Sequence, residues 1–463
     1  MTHLRNEGRI VMPEAGCQIG IAGLGATGSN FALNLADHGY SIAAYDRNET
    51  ALDDLRSRTE GRTIEPTNNL VEFVSLLGVP RIVMICVPSG PPIDRLINEL
   101  MPNLRLGDLI IDLGNHSYFK ETDARASMLA ERGIDLLGVG ISGGERGARH
   151  GAGVMPGGPK QAYARVRRVL EDIAAEANGA PCVAYLGPRS AGHYVEMVHD
   201  GIERGVMQLI AETYDLMSRG LGMSDVAIQE VYSQWNASEV GSHLLEIIAR
   251  RLRNNSEGMG ATLFELVADE TAPNGSGSWA SLEARDLDVP TPTIDIAVAM
   301  QMLSSLKEGR LALRRLLGRR PIHYAGKRGV LIDQIKRALC AGMVVTFAQG
   351  LALLRAGSEV YEYDLALDEV VRIWSGGSIL RSRMLDDIYE AFYVQPALPN
   401  LLSDWQLAHL VATRREDLRA AVLLAVEQDI PAPALTASLA YDAHRELRAG
   451  DLPSRRTPIQ AIA

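Results

Sequence analysis

The stretch that most limits what this chain can become is Gly23-Leu24-Gly25-Ala26-Thr27-Gly28, which follows an apolar run at 18–22 and opens a helix-like segment that Gly39 would end. The spacing has a physical purpose. The first glycine makes a tight turn, the second lets backbone approach a pyrophosphate, and the third lets a helix pack on a strand. The helix N-terminus then offers unpaired N–H groups to the phosphates. Asp46 follows 18 residues after Gly28, at the end of the next apolar run, which completes the context of a dinucleotide-binding unit. Gly23, Gly25, Ala26, Thr27, Gly28, Asp46, Arg47, Asn48, Val87, Pro88 and Asn115 are the expected cofactor contacts. Asp46 would accept from a ribose hydroxyl and repel a 2′-phosphate, whereas Arg47 would hold that phosphate. The cofactor is therefore NAD or NADP, with a slight lean to NAD from Asp46, and Asp46→Asn is expected to favour NADP.

Up to residue 190 the chain alternates apolar runs (18–22, 41–45, 81–87, 109–113, 136–139 and 182–186) with helical patterns, as a mostly parallel sheet flanked by helices requires. Beyond it, 191–219, 242–253, 294–317, 329–356 and 378–392 carry apolar residues at three- and four-residue spacing. The expected architecture is α/β plus all-α: a Rossmann-like NAD(P)-binding domain over 1–190, a large all-helical substrate and dimerisation domain over 191–447, and a C-terminal tail over 448–463. The 57 acidic residues exceed the 46 basic ones, for a net charge of −11, which disfavours nucleic acid and anionic membranes as partners. With neither a signal peptide's apolar stretch nor an uninterrupted span-length apolar run, a cytoplasmic protein is expected. The four cysteines are too scattered for a zinc knuckle or redox pair. Trp235, Trp279 and Trp405 read as core or interface aromatics.

A set of further motifs carries a resemblance: Asp112-Leu113-Gly114-Asn115, the segment 140–149, Met155-Pro156-Gly157-Gly158, the segment 192–203, the segment 303–307, Ala348-Gln349-Gly350 and Trp374-Ser375-Gly376-Gly377. In order and spacing they resemble the decarboxylating 6-phosphogluconate dehydrogenases from about residue 17 to 445. The resemblance implies a homodimer whose tail is exchanged into the partner subunit. It also implies hydride transfer from a secondary alcohol to NAD(P), followed by loss of CO2 and protonation of an enediol.

Function has to be argued from the site rather than the fold. The family's lysine base corresponds to Glu196, its His-Asn pair to His199 and Asp200, and its acid to Glu203; their spacing puts all four on one helix face. A phosphate-binding tyrosine corresponds to Arg204, a Lys-Gly-Thr-Gly loop to Asn274, Gly275, Ser276 and Gly277, and an arginine to Gln301. Ser142, Gly143 and Gly144 match the family's substrate turn, and Asn115 with His199 would bind substrate hydroxyls or the carbonyl. Arg149 and the tail's Arg455 and Arg456 are further candidates for an anionic group. Only five of the 46 basic residues are lysine, so drift at position 196 would give arginine; the glutamate reverses the sign instead.

The first reading is therefore an NAD(P)-dependent oxidoreductase acting on a substrate other than 6-phosphogluconate, an unphosphorylated sugar acid, polyol or nucleoside-type alcohol. Glu196 replaces the lysine base and Glu203 is the acid, their pKa values split by burial and crowding. The alternatives are a catalytically inactive NAD(P)-binding homologue and a true 6-phosphogluconate dehydrogenase. No metal is expected: Glu196-x-x-His199 has ligand spacing, but a second such pair is missing.

Overall fold

The computed structural model describes residues 16–114, 116–255, 276–306 and 328–446. Seven strands, β1 (Ile19–Ala22), β2 (Ile42–Tyr45), β3 (Ile64–Thr67), β4 (Ile82–Ile85), β5 (Leu109–Asp112), β6 (Asp135–Ser142) and β7 (Gly153–Gly157), form one sheet in the order β3-β2-β1-β4-β5-β6-β7. The first six run parallel and β7 is antiparallel to β6. In β4, Ile82 and Met84 enter one apolar cluster while Val83 and Ile85 enter the other, so both faces are covered and the strand reads as an unbroken apolar run.

Two expectations fail here, each for its own reason. Met155-Pro156-Gly157 reads as a turn yet lies inside β7, because its glycine serves helix packing rather than chain reversal. Conversely, 182–186 is not a strand. It runs beside β7, with Val154 N–H donating to the Cys182 carbonyl (2.9 Å) and Leu186 N–H to Pro156 (3.0 Å), but Pro156 has no N–H with which to continue a ladder. β3 also carries a proline, which masks it as a strand while suiting the sheet edge.

Helix Ala191–Asp215 leaves the sheet and runs into the helical layer, buried on nearly every side. It is seated by glycines. A methyl group at Gly192 would lie 2.2 Å from the Met155 carbonyl and 2.3 Å from that of Gly138, one at Gly157 2.3 Å from Gly192 N, and one at Gly140 2.6 Å from Glu196 Cβ. The helix can therefore lie directly on the β6–β7 backbone. Helix Arg328–Val360 packs along its far side; it is long and apolar enough to cross a bilayer, but 89% of its most apolar window is buried, which is the signature of a core helix.

Two buried side chains fasten helix N-termini to this pair. Gln349 accepts from Thr293 N–H (3.0 Å) at the start of helix Pro292–Ser305. Glu212 accepts from Ala434 N–H (2.8 Å) and Leu435 N–H (2.9 Å) at the start of helix Pro433–Glu446, and burial pushes its carboxyl up to about 7. A carboxylate at a helix N-terminus meets both unpaired donors and the positive end of the dipole. Trp235 is buried and Trp279 half-buried against Tyr118, but Trp405 is 75% exposed and stacks on His409, so it is not a core residue of the subunit.

Candidate active site

At the nucleotide end, the three glycines divide the work as their spacing predicts. Gly23 sits at φ +99° with no room for a side chain, since a Cβ would be 2.5 Å from the Cys86 carbonyl. At Gly28 a Cβ would lie 1.9 Å from the carbonyl of Gly23, whereas Gly25 faces open space. Helix Ala26–Asp37 begins there with no side-chain cap and no acid in its first turn, so its N–H groups suit a pyrophosphate. Ala26 is exposed, Thr27 half-buried, and Val87 and Pro88 follow β4 at the same sheet end.

Asp46 differs from its expected role. Its Oδ2 accepts from Leu24 N–H (2.6 Å) and its Oδ1 from Asn48 N–H (2.8 Å), so the carboxylate braces the glycine loop. Asn48 caps helix Glu49–Arg56 by accepting from Thr50 N–H (3.0 Å), and Arg47, 58% exposed, pairs with Glu99. An amide at position 46 would turn its NH2 toward one of the two backbone donors. Asp46→Asn is thus expected to weaken binding of both cofactors by roughly tenfold, the value of one charge-assisted bond. Isothermal titration with NAD and NADP would check this, and a selective gain for NADP would refute it.

The expected catalytic row lies together on helix Ala191–Asp215. Glu196 is sealed, 1% exposed; its Oε1 accepts from His116 N–H (3.1 Å), and its Oε2 has no hydrogen-bond partner among the described residues. Burial, and then the charge of Asp200, hold the Glu196 carboxyl well above the usual carboxylate range. Asp200 lies between two imidazoles, with Oδ2 2.6 Å from His116 Nδ1 and Oδ1 3.1 Å from His199 Nδ1. Burial opposes its ionisation, but the His116 charge and hydrogen bond outweigh that and hold it well below its ordinary range. Glu203, half-buried one turn on, is pushed up to about 7 by burial and by the charge of Asp200.

His199 connects the two halves of the molecule. Its Nε2 lies 3.0 Å from Ser142 Oγ at the end of β6 and 3.0 Å from Ser378 Oγ in the helical domain, with Trp374 edge-on to the ring. Gly143, at φ +117°, abuts the Gly377 carbonyl at 2.1 Å from where a Cβ would sit, and Gly144 opens helix Gly144–His150. Trp374-Ser375-Gly376-Gly377 thus delivers Ser378 to the site. Arg204 lies over the backbone of Gly277, where a Cβ would be 2.0 Å from its Nε. Ser276 opens helix Ser276–Asp286, and Gln301 is half-buried near the end of helix Pro292–Ser305. Asn115, Asn274, Gly275, Arg455 and Arg456 lie outside the described residues. Arg149 is turned away from the site: its guanidinium binds Asp37 at 2.6 Å.

Two residues absent from the expected set, His116 and Ser378, therefore belong to it. Each follows directly on a motif that was noticed. His116, His193, Glu196 and Asp200 converge on the loop after β5, where His193 Nε2 lies 3.2 Å from the Asp112 carbonyl and Nδ1 2.8 Å from Thr122 Oγ1. One atom each from His116, Glu196 and Asp200, or from His199, Asp200 and Glu203, lies within 4.8 Å of the others, close enough for a divalent cation. The 2.6 Å and 3.1 Å contacts within these sets are already hydrogen-bond lengths, so proton sharing explains the arrangement without a cation.

Comparison with known proteins agrees over more than nine-tenths of the chain. The model of the NAD binding domain of 6-phosphogluconate dehydrogenase matches residues 18–187, and that of the 6-phosphogluconate dehydrogenase C-terminal domain matches 192–457. The NADP(+)-dependent, decarboxylating 6-phosphogluconate dehydrogenase of Bacillus subtilis is 39% identical over 430 residues, 92% of each chain. That of Lactococcus lactis, described as decarboxylating, is 38% identical over 443 residues, 95% of this chain and 93% of the relative. Among solved structures, Plasmodium falciparum 6-phosphogluconate dehydrogenase superposes with a TM-score of 0.88 at 32% identity, covering 96% of this chain and 95% of that one.

Proposed function

The chain belongs to the 6-phosphogluconate dehydrogenase family and is an oxidoreductase of that NAD(P)-dependent type; on that premise we propose that it oxidises and decarboxylates 6-phosphogluconate with NADP. The observation that carries this reading is the 38–39% identity, over more than nine-tenths of the chain, to relatives described as decarboxylating 6-phosphogluconate dehydrogenases. It reverses the preference drawn from the sequence, which ranked an altered substrate first. NADP is preferred to NAD because Arg47 stands exposed beside Asp46, where it can meet a 2′-phosphate. A relative's description as NADP(+)-dependent supports the same choice.

When bound, the cofactor supplies a nicotinamide that takes up hydride. The chain's own residues do the rest. Gly23, Gly25 and Gly28 with the uncapped start of helix Ala26–Asp37 hold the pyrophosphate. Ser142, His199 and Ser378 hold substrate oxygens, Arg204 beside the Gly277 backbone receives the anionic end, and Glu203 donates a proton at the carbon that loses CO2. Dimerisation, with the tail reaching a partner subunit, is part of the same proposal.

A second reading, a different alcohol, is favoured by one observation: Glu196 and Asp200 put carboxyl groups where the family has an ammonium and an amide. The test is direct. NADPH absorbance and CO2 release are followed with 6-phosphogluconate and either cofactor, and kcat/KM with NADP is expected to exceed that with NAD by at least about tenfold. Failure to oxidise 6-phosphogluconate, alongside turnover of an unphosphorylated sugar acid, would establish the second reading.

A further inference from the structure

We propose that His116 is the group that accepts the hydroxyl proton of the reacting alcohol, with Asp200 as its positioning residue. The proposal rests on the oxidoreductase reading and moves the role of base, which the sequence assigns to Glu196, to a neighbouring residue.

Three observations carry it. The first is placement. His116 lies in the loop leaving the carboxyl end of β5, which is where ligands bind in a doubly wound sheet, and it turns at φ +64° into the space beside helix Ala191–Asp215. The second is clamping. Its backbone N–H is held by Glu196 Oε1 (3.1 Å) and its ring by Asp200 Oδ2 (2.6 Å), two carboxyls on successive turns of one helix. With Nδ1 committed to Asp200, proton exchange with substrate runs through Nε2, and the side chain is 40% exposed. A carboxylate behind an imidazole fixes the ring's tautomer and stabilises the imidazolium that forms.

The third observation is the unsuitability of the neighbours. Glu196 is sealed, and burial keeps its proton on, so it donates to an oxygen rather than accepting from one. Asp200, flanked by the imidazoles of His116 and His199, is held ionised. This revises the expectation that Glu196 is the base: its carboxyl supports the His116 backbone.

The step balances. The alcohol C–H bond breaks and its electron pair leaves as hydride to the oxidised nicotinamide. The O–H proton passes to His116 Nε2, and the oxygen pair closes the C=O bond. The alcohol loses two electrons, the nicotinamide gains them, and the imidazole becomes an imidazolium beside Asp200.

Among the described residues, the charged groups that act most strongly on His116 are Asp200, Glu196 and Glu203, on helix Ala191–Asp215. Burial works against the ring's charge, but Asp200 with its hydrogen bond outweighs it and pushes the imidazole up to about 9. The base must be neutral to act. Single-turnover NADPH formation is therefore expected to rise with pH and level off above about 9, and Asp200→Asn should move that break to lower pH.

The experiment uses the full-length protein with 6-phosphogluconate and a panel of unphosphorylated sugar acids. His116→Gln is expected to lower the hydride-transfer rate by about 10²–10⁴-fold with KM little changed. His116→Ala should regain rate on addition of imidazole, which a structural role would not allow. Independently of activity, NMR titration of labelled histidine rings should place His116 near 9 in the wild type and lower in Asp200→Asn. A His116→Gln protein that keeps more than about a third of the rate with an unchanged pH profile would overturn the role of His116 while leaving the oxidoreductase reading intact. A wild type that turns over none of the panel would remove both.

Discussion

Replacing Gly192 with alanine is expected to uncouple the catalytic helix from the sheet. The added methyl would lie 2.2 Å from the Met155 carbonyl, 2.3 Å from the Gly138 carbonyl and 2.7 Å from Gly157 N. All three are backbone atoms of paired strands, so no rotamer change can relieve the clash; either β6 and β7 separate or the helix start moves away. Overpacking that can be absorbed costs about 1–3 kcal/mol, and this one, with nowhere to go, is expected to cost about 4 kcal/mol or more. Glu196, His199, Asp200 and Glu203 ride on the displaced helix, so kcat/KM should fall by at least about 100-fold. Urea unfolding followed by tryptophan fluorescence, together with NADPH formation, checks both effects. A variant with wild-type midpoint and turnover would show that the glycine seat is not needed.

The second large effect is expected at Glu203. If it protonates the carbon left by CO2, Glu203→Gln keeps the shape and removes the proton. The first hydride transfer should survive, giving a burst of about one NADPH per site, followed by steady-state turnover slowed by about 10²–10⁴-fold. Loss of the burst together with turnover would instead place Glu203 in the oxidation step. The group suits the task because burial, with the Asp200 charge, pushes it up to about 7, so that near neutral pH an appreciable fraction carries the proton to be given. Its donating ability declines as pH rises through that value.

The strand–glycine–helix unit is legible because three packing demands fall within six residues, and the row 196, 199, 200, 203 because helical spacing makes one face readable. What stays hidden is what depends on distant chain. His116 meets Glu196 across 80 positions and Ser378 meets His199 across 179, and no periodicity links either pair. β3 and β7 are hidden for a different reason: proline and glycine, which normally mark turns, are used there at a sheet edge and under a helix. The second task of Asp46 is hidden likewise: its carboxylate braces the glycine loop through Leu24 N–H and Asn48 N–H, which no spacing announces. The sign reversal at position 196 was legible from the start, but the buried, proton-holding state it leads to depends on Gly140 and the sheet behind it.

The carboxylate cap supplied by Glu212 bears on how the molecule is made. Its partners, Ala434 and Leu435, lie 222 and 223 positions further along the chain. A ribosome releases the catalytic helix long before it releases them. Until then Glu212 has only Gln208, one turn back on its own helix, as a donor, and a buried acid short of donors favours solvent. The helix that carries the active-site row can thus reach its final setting only once residues 434 and 435 have been made. A message cut short before residue 433 would yield a chain with its nucleotide fold complete and its reaction chemistry unassembled, a product that binds cofactor without spending it.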